Sequence, residues 1–523
     1  MEAADPPGTA SQAETITASQ TSPARKANTA GRTETASQAK TITASQTTPA
    51  RKANAAGRTG TASQAKTITA SQTSPARKAN AAGRTGTAIA GLGMTELGKV
   101  YGRSSRRLAA EAVRLAVADA GLGLADLDGL LVCPGIAPGA LDVGLAQLIG
   151  LRDLRLLSVI NSYGASAGAA VALASLAITS GSASVVACVF ADTPLRPEAP
   201  AGATFGMGRS GAAATAAATS AATSAATAAA ATAAAAATPA AAAPAAAATP
   251  AAAATPAAGA AARPEWYGLA GLRGGYGYRT VTAEYALAAR RHMAAYGTTS
   301  EQFGAISVAQ RAWAAGNPCA QFREPITLAD HQASRWIVEP LHLLDCCLVS
   351  NGAIAVVVTS ADRAAGLRKP PVHIWGWGQG HPGHQLEHGS HFGLSTGAAI
   401  AGPAAMTMAG ITAGDVTMCQ IYDCYTYTVL VTLEDYGFCA KGEGGPFAAS
   451  GALAPGGSLP VNTGGGQLSA YYMWGFTPLS EAVIQARGDG GARQSPASDV
   501  ILVSGNGGIL AHHSTLVLSP HAR

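Results

Sequence analysis

Charge is scarce in this chain, and once it is located it has almost no net sign. Charged residues make up 12% of the 523 positions; residues 1–86 hold 11 basic and 4 acidic side chains, leaving 24 basic and 26 acidic for the rest. A near-neutral remainder lacks the electrostatic footing of a nucleic-acid-binding protein, so no nucleic-acid partner is expected. The eight cysteines, at 133, 188, 319, 346, 347, 419, 424 and 439, form no CxxC pair and no small-domain disulfide framework. Reduced thiols and a cytoplasmic location are therefore expected. Outside weakly hydrophobic alanine tracts no apolar run reaches about 18 residues, which leaves no segment to span a membrane.

What is present falls into unequal parts. Residues 9–86 are three copies of a 26-residue unit, the last reading TASQAKTITASQTSPARKANAAGRTG. Each copy lacks the leucines and aromatics with which stacked repeats bury a face, so residues 1–86 read as a disordered tail. Its Ser/Thr/Arg-rich, acid-poor composition also resembles a transit peptide, but near-identical copies point to in-frame duplication. Residues 211–262 are almost entirely Ala, Thr, Ser and Pro, with Pro239, Pro244, Pro250 and Pro256 breaking the second half. Without a hydrophobic stripe this insert is a linker that leaves the flanking fold unchanged.

The remainder alternates strands with helices. Strands are expected at 87–93, 129–133, 154–160, 184–191 and 353–358, and helices at about 104–120, 165–179, 283–296 and 300–315. Ser104 or Ser105 is placed to cap the first helix and Gly121 to stop it, with Leu108, Ala112 and Leu115 on one face. A second alternating set opens at Pro371-Val-His-Ile-Trp375 and ends with strands at 500–503 and 514–518. The expected architecture is α/β, in two successive halves with buried sheets, over residues 87–365 and 366–523.

Several stretches carry candidate chemistry. In Ile160-Asn-Ser-Tyr-Gly-Ala-Ser-Ala-Gly168 a strand ends in a turn of small residues and a helix begins, a place where α/β enzymes seat nucleophiles or anions. His381, His384, His388 and His391 crowd one loop, but Pro382, Gly383 and Gly389 oppose a helix and no cysteine or aspartate completes a ligand set. A solvated loop is expected there, and no metal site. Arg290-Arg-His292 reads either as a solvated helix face or as a contact to the phosphates of coenzyme A. A strand ending in Tyr422-Asp423 places side chains at the sheet's C-terminal edge, where such folds bind ligands. Downstream, Asn462-Thr-Gly-Gly-Gly466 leads to the pair Tyr471-Tyr472.

Taken in order, these motifs resemble the thiolase superfamily, closest to its lipid-transfer protein or sterol carrier protein type X branch. The matching stretches are Gly91-Leu-Gly-Met-Thr-Glu-Leu-Gly98, Asn161-Ser-Tyr-Gly-Ala-Ser-Ala-Gly168, Arg291-His-Met-Ala-Ala-Tyr-Gly-Thr-Thr-Ser300, Tyr422-Asp-Cys-Tyr425, Gly437-Phe-Cys-Ala-Lys-Gly-Glu-Gly-Gly445, Asn462-Thr-Gly-Gly-Gly466 and Ser504-Gly-Asn-Gly-Gly508. The resemblance implies two similar βαβαβαββ halves in an αβαβα layering, a homodimer, and an acyl-CoA ligand, with coenzyme A entering as part of the substrate and no tightly bound cofactor. A degradative thiolase carries its nucleophilic cysteine where this chain has Gly164, its catalytic histidine where this chain has Tyr472, and an Asn or His where this chain has Tyr422. Its second cysteine falls at Gly505 or Asn506.

That pattern of losses is similar to the thiolase-fold aldolases of steroid side-chain degradation. These cleave a β-hydroxyacyl-CoA without a covalent intermediate and work with a small partner of OB fold and zinc ribbon. The resemblance implies that Tyr422 and Tyr472 divide the acid and base roles, and that enolate stabilisation comes from His513 or from amides near Gly164, Gly465 or Gly507. Asn161, Ser166, Asp423, Asn462, Gly466 and Asn506 are expected to line the same region, with Gly164 leaving room where a cysteine would stand. Two other readings stay open. One is an acyltransferase with a displaced nucleophile at Ser162, Ser166 or Cys424, and the other is a non-catalytic acyl-CoA or lipid-binding subunit.

Overall fold

The computed structural model describes residues 86–137, 141–199, 280–383 and 391–523. The repeat tail through residue 85, the insert at 211–262, His384 and His388 lie outside the described residues. The described strands that form the main sheet are β1 (Thr87–Met94), β2 (Gly129–Pro134), β3 (Leu156–Val159), β4 (Val185–Asp192), β7 (Gly352–Ser360), β8 (Val372–Gly380), β9 (Met418–Gln420), β10 (Ile501–Gly507) and β11 (His512–Ser519). A separate ribbon pairs β5 (Trp336–Val338) with β6 (Leu341–His342).

The main sheet runs β3-β2-β4-β7-β1-β8-β11-β10-β9, and its two ends repeat one pattern. From the centre outward, β1 is antiparallel to β7, β7 antiparallel to β4, and β4 parallel to β2. On the other side β8 is antiparallel to β11, β11 antiparallel to β10, and β10 parallel to β9. Where the first half ends in β3, the second has a single parallel bridge from Cys419 to Val461. The halves are joined directly, because Thr87–Ile89 of β1 pairs with Val372–Ile374 of β8.

Helices sort into three layers. Helix α1 (Ser105–Ala120) packs outside β1, β7 and β4, and α8 (Ala398–Ala409) packs outside β8 and β11. Between the two halves of the sheet lie α3 (Ser166–Thr179) and α11 (Phe476–Ala486), each touching strands from both. The sequence of α3, SAGAAVALASLAIT, is small and apolar nearly all round, as a helix covered on two sides requires. The remaining described helices are α2 (Leu145–Ile149), α4 (Val281–Tyr296), α5 (Ser300–Ala314), α6 (Leu328–Ala333), α7 (Ala361–Ala365), α9 (Thr426–Asp435) and α10 (Gly444–Ala449).

One device brings the outer helices onto the sheet in both halves. A Cβ on Gly91 or Gly93 would stand 2.1 Å from the carbonyl oxygens of Ala116 or Ala112 in α1. In the second half, a Cβ on Gly376 or Gly378 would stand 2.3 or 2.2 Å from those of Ala405 or Ala401 in α8. The strand glycines and helix alanines therefore meet backbone to backbone. That contact explains one departure from the periodicity. Ser104 caps α1 and Gly121 ends it in the left-handed region, but Leu115 is 41% exposed. The buried stripe runs through Leu108, Ala109, Ala112, Val113 and Ala116, because the close approach admits alanine on the contact line and pushes the longer leucine aside. Among the described residues no helix is long and apolar enough to cross a membrane, and all eight cysteines are free.

Candidate active site

The sheet's C-terminal edge opens into a cavity of about 530 Å³ at the start of α3. A larger groove of about 990 Å³ touches Ser175 and Thr179 at the far end of α3, beside Asp362, His373, Trp375 and Arg523, and is lined by no tyrosine. The smaller cavity is lined by several. Tyr422, just after β9, and Tyr472, just before α11, both line it, with their hydroxyl oxygens 3.1 Å apart. Burial pushes both phenols well above their ordinary range. At neutral pH the pair is therefore two neutral phenols.

Two segments hold these tyrosines, and each grips the other. The Asn462 carboxamide oxygen accepts from the Ile421 amide at 2.7 Å, fixing the end of the strand that leads to Tyr422. In return the Asp423 carboxylate accepts from Gln467 N at 2.9 Å and Leu468 N at 3.3 Å, holding the turn that leads to Tyr472. Burial pushes Asp423 up to about 7 against the pull of these amide donors. Ser350 Oγ accepts from Tyr472 N at 3.0 Å and completes the grip.

Gly164 lies in the cavity wall, but the space beside it is already filled. A Cβ there would stand 2.1 Å from the Asn506 carbonyl oxygen and 2.3 Å from Tyr422 Cε2. The expected room for a cysteine is instead occupied by the ring of Tyr422, so the phenol has taken the volume as well as the setting of the missing thiol. Asn506 and Gly507 line the cavity as well, and Gly507 runs close against the Ser162 carbonyl, 2.2 Å from where its own Cβ would be.

Other expected members stand elsewhere. His513 faces away from the cavity, because successive residues of β11 point to opposite sides of the sheet. Its ring is 2.9 Å from Tyr436 Oη and 3.2 Å from Ser504 Oγ, and burial lowers it to about 3, so it stays neutral. Its neighbour His512 lines the mouth instead, with its ring stacked on Tyr163. Gly465 and Gly466 are packing positions: a Cβ would meet Ala314 of α5 at 2.5 Å and the Asp423 carboxylate at 2.1 Å, respectively. Asn161 is exposed and its Oδ1 accepts from the Tyr163 amide, while Ser166 Oγ accepts from Ser162 N at 2.8 Å behind the wall.

The Arg290–His292 stretch does not line the cavity. Val281, Thr282 and Tyr285 at the start of α4 do, and Arg290 lies about 7.5 Å beyond Tyr285 along the helix. His292 is fully buried between Glu434 Oε2 and Thr298 Oγ1, both at 3.0 Å, while exposed Arg290 faces Glu339 at 3.6 Å. These contacts make His292 a packing residue.

The cavity contains residues to which no motif pointed. Tyr285, Cys346, Cys347 and Leu348 form part of its wall, beside Tyr425 and Trp474. The main chain places Cys347 beside Cys424, with Cys347 N donating to the Cys424 carbonyl at 3.0 Å. Burial raises both Cys346 and Cys347, and pushes Cys424 up to about 12, so none is a thiolate at neutral pH. Among the described residues no three His, Cys, Asp or Glu side chains are grouped to hold a metal ion.

A family model described as Thiolase C-terminal domain-like matches residues 378–520. A steroid side-chain-cleaving aldolase of Thermomonospora curvata is 37% identical over 424 residues, covering 80% of this chain and 95% of that relative. The chain belongs to the thiolase-fold aldolase family. A second member, a 17-hydroxy-3-oxo-4-pregnene-20-carboxyl-CoA lyase of Mycobacterium tuberculosis, is 36% identical over 425 residues, covering 80% of this chain and 96% of that one. Among solved structures, the Ltp2-ChsH2(DUF35) aldolase matches with a TM-score of 0.65 at 33% identity, over 83% of this chain and 98% of that one. The family resemblance carried by the motifs is thereby borne out.

For an aldolase-family chain, the crowding at Gly164 has a direct consequence. Restoring the thiolase residue with Gly164→Cys is expected to lower cleavage on the order of a hundredfold by displacing the Tyr422 ring. It is also expected to bring no thiolysis. Acetyl-CoA formation from acetoacetyl-CoA and coenzyme A, measured beside β-hydroxyacyl-CoA cleavage, checks both halves.

Proposed function

We propose that the protein cleaves the Cα–Cβ bond of a β-hydroxyacyl-CoA by a retro-aldol reaction, with Tyr422 and Tyr472 moving the proton. The observation that carries this reading is the pair of neutral phenols 3.1 Å apart in the cavity wall, with no ionised nucleophile beside them. The substrate class is a coenzyme A ester with a bulky, steroid-like β-carbon, in keeping with the names of the family members.

The reaction needs one net proton transfer, from the β-hydroxyl to the α-carbon. As one phenol oxygen takes the hydroxyl proton, the electrons of the breaking bond pass to the thioester as an enolate and a carbonyl forms at the β-carbon. The first phenol passes its own proton across the 3.1 Å contact, and the second delivers one to the α-carbon. Both tyrosines begin and end neutral, so the buried site never has to hold a free phenolate. The acyltransferase reading is less well supported. Cys424 faces the cavity but its thiol sits at about 12, and Ser166 Oγ is engaged by the Ser162 amide.

The protein is also read as a homodimer built along β3. This edge strand turns Leu157 and Val159 outward at 41% and 40% exposure, with Leu148 and Tyr163 at 49% and 48%. An open, apolar edge pairs readily with a second copy. A small OB-fold and zinc-ribbon partner, in keeping with the two-component name of the matching aldolase structure, is proposed as well. Co-expression with candidate partners is the way to find it.

Three outcomes are expected. Tyr422→Phe and Tyr472→Phe each abolish release of ketone or aldehyde, while Cys424→Ala retains it; turnover by the double Phe variant defeats the mechanism. The pH profile shows an acid limb near pH 7, where Asp423 takes up a proton and loosens its hold on the Gln467 and Leu468 amides. It then stays level to about pH 9, since burial keeps both phenols protonated there; a rate that keeps rising through pH 8 speaks instead for a thiolate. Leu157→Asp converts the dimer to a monomer in light scattering, and an unchanged mass refutes the β3 interface.

A further inference from the structure

Two histidines meet at the cavity mouth, and the retro-aldol scheme uses neither. The antiparallel ladder that pairs His513 of β11 with Gly380 of β8 sets the next residues, His512 and His381, opposite one another. Side chains placed in this way stand on one face of the sheet within reach of each other. Their Nδ1 atoms are 3.1 Å apart, with the rings edge to face at a centroid distance of 5.2 Å. His512 lines the cavity and stacks on the exposed ring of Tyr163, whereas His381 stands outside the lining.

A third side chain sets the proton on one of these rings. Gln379 Oε1, a carbonyl oxygen and so an acceptor, lies 3.2 Å from His381 Nε2, which therefore carries the proton. In the neutral ring the lone pair is left on Nδ1, turned toward His512. With its own proton on Nδ1, His512 donates to that lone pair; with the proton on Nε2, two lone pairs converge on one point. Two nitrogens each about 2.0–2.1 Å from a single ion are separated by about 2.9 Å at a right angle and about 3.4 Å at the tetrahedral angle. The observed 3.1 Å falls between these limits. An outer acceptor on the remote N–H, as Gln379 provides, is what orients a metal-binding imidazole. Strand pairing holds both rings in place beforehand, so little ordering is lost when an ion binds.

We propose that His381 and His512 form a two-nitrogen site for a divalent transition-metal ion such as Ni2+ or Zn2+, with water in the remaining positions, and that the ion closes the cavity to substrate. Hard cations such as Mg2+ prefer oxygen and do not compete for it. Because His512 belongs to the entrance, an ion on its Nδ1 takes up room there with its attached waters. The binding is independent of the aldolase reading, while the closure is read through cleavage and rests on it.

Calorimetric titration of the untagged full chain with Ni2+ measures the site. His381→Ala and His512→Ala are each expected to weaken binding on the order of a hundredfold, the double variant no further than either, and Gln379→Leu about tenfold. The lack of further loss separates one shared ion from two independent histidines. In cleavage of a branched β-hydroxyacyl-CoA by the full chain with its partner, Ni2+ inhibits, EDTA restores the rate and Mg2+ has no effect. His381→Ala keeps the rate of the unaltered protein and loses the sensitivity to Ni2+; His381→Gln serves if the alanine variant is unstable. Equal Ni2+ binding by the unaltered chain and His381→Ala, or additive losses in the two single variants, overturns the site. Ni2+ bound at the pair with cleavage undiminished overturns the closure. Absence of cleavage by the unaltered protein defeats the aldolase reading instead, and the titration then decides the metal site by itself.

Discussion

The reciprocal grip between residues 421–423 and 462–468 is the constraint on which the rest of the site depends. Asn462 holds the Ile421 amide and Asp423 holds those of Gln467 and Leu468, so neither tyrosine segment can move without the other. The two segments are distant in sequence and meet only because β9 and the bridge to Val461 lie side by side at the end of the sheet. A carboxylate buried for this purpose is costly, which is why its proton affinity rises toward neutrality. Asn462 and Asp423, expected to line the cavity, thus stand behind it and set the distance between two phenols.

Much of this was legible in the chain. The alternation of strand and helix, the glycine stops and the order of the motifs point to the fold class, and the motifs single out the two tyrosines that the structure brings together in the cavity. The failures share a physical cause. His513 and His512 are adjacent, and only the pleat of β11 decides which one reaches the cavity. Gly465 and Gly466 suggested a surface for a ligand backbone, but what approaches them is Ala314 and Asp423. Composition shows that a glycine is needed without showing which neighbour needs it. Tyr285 carried no signal, since a tyrosine on a helix is ordinarily core, and its contact with the distant strand residue Asn506 is made only by the fold.

The repeated pairing of the sheet shows how two halves with the same topology come to do different work. In both, strand glycines receive an outer helix at backbone distance, so the layers are equally tight. The halves part company at the ends of their strands. The first half contributes Tyr163, Gly164, Tyr285 and Cys347, and the second contributes Tyr422, Tyr472 and Asn506. Chemistry is assembled across the central helix layer from loops whose supporting strands are near copies.

The filled notch beside Gly164 also acts as a rule about which sequences are compatible. An ordinary side chain at position 164 and a tyrosine ring at position 422 claim the same volume, so the two identities are mutually exclusive in this backbone. The Asn506 carbonyl, 2.1 Å from the same Cβ position, adds a second bar that no change at position 422 lifts by itself. A change from covalent to non-covalent chemistry along this fold then has an order, in which the small residue must come first and the phenol second.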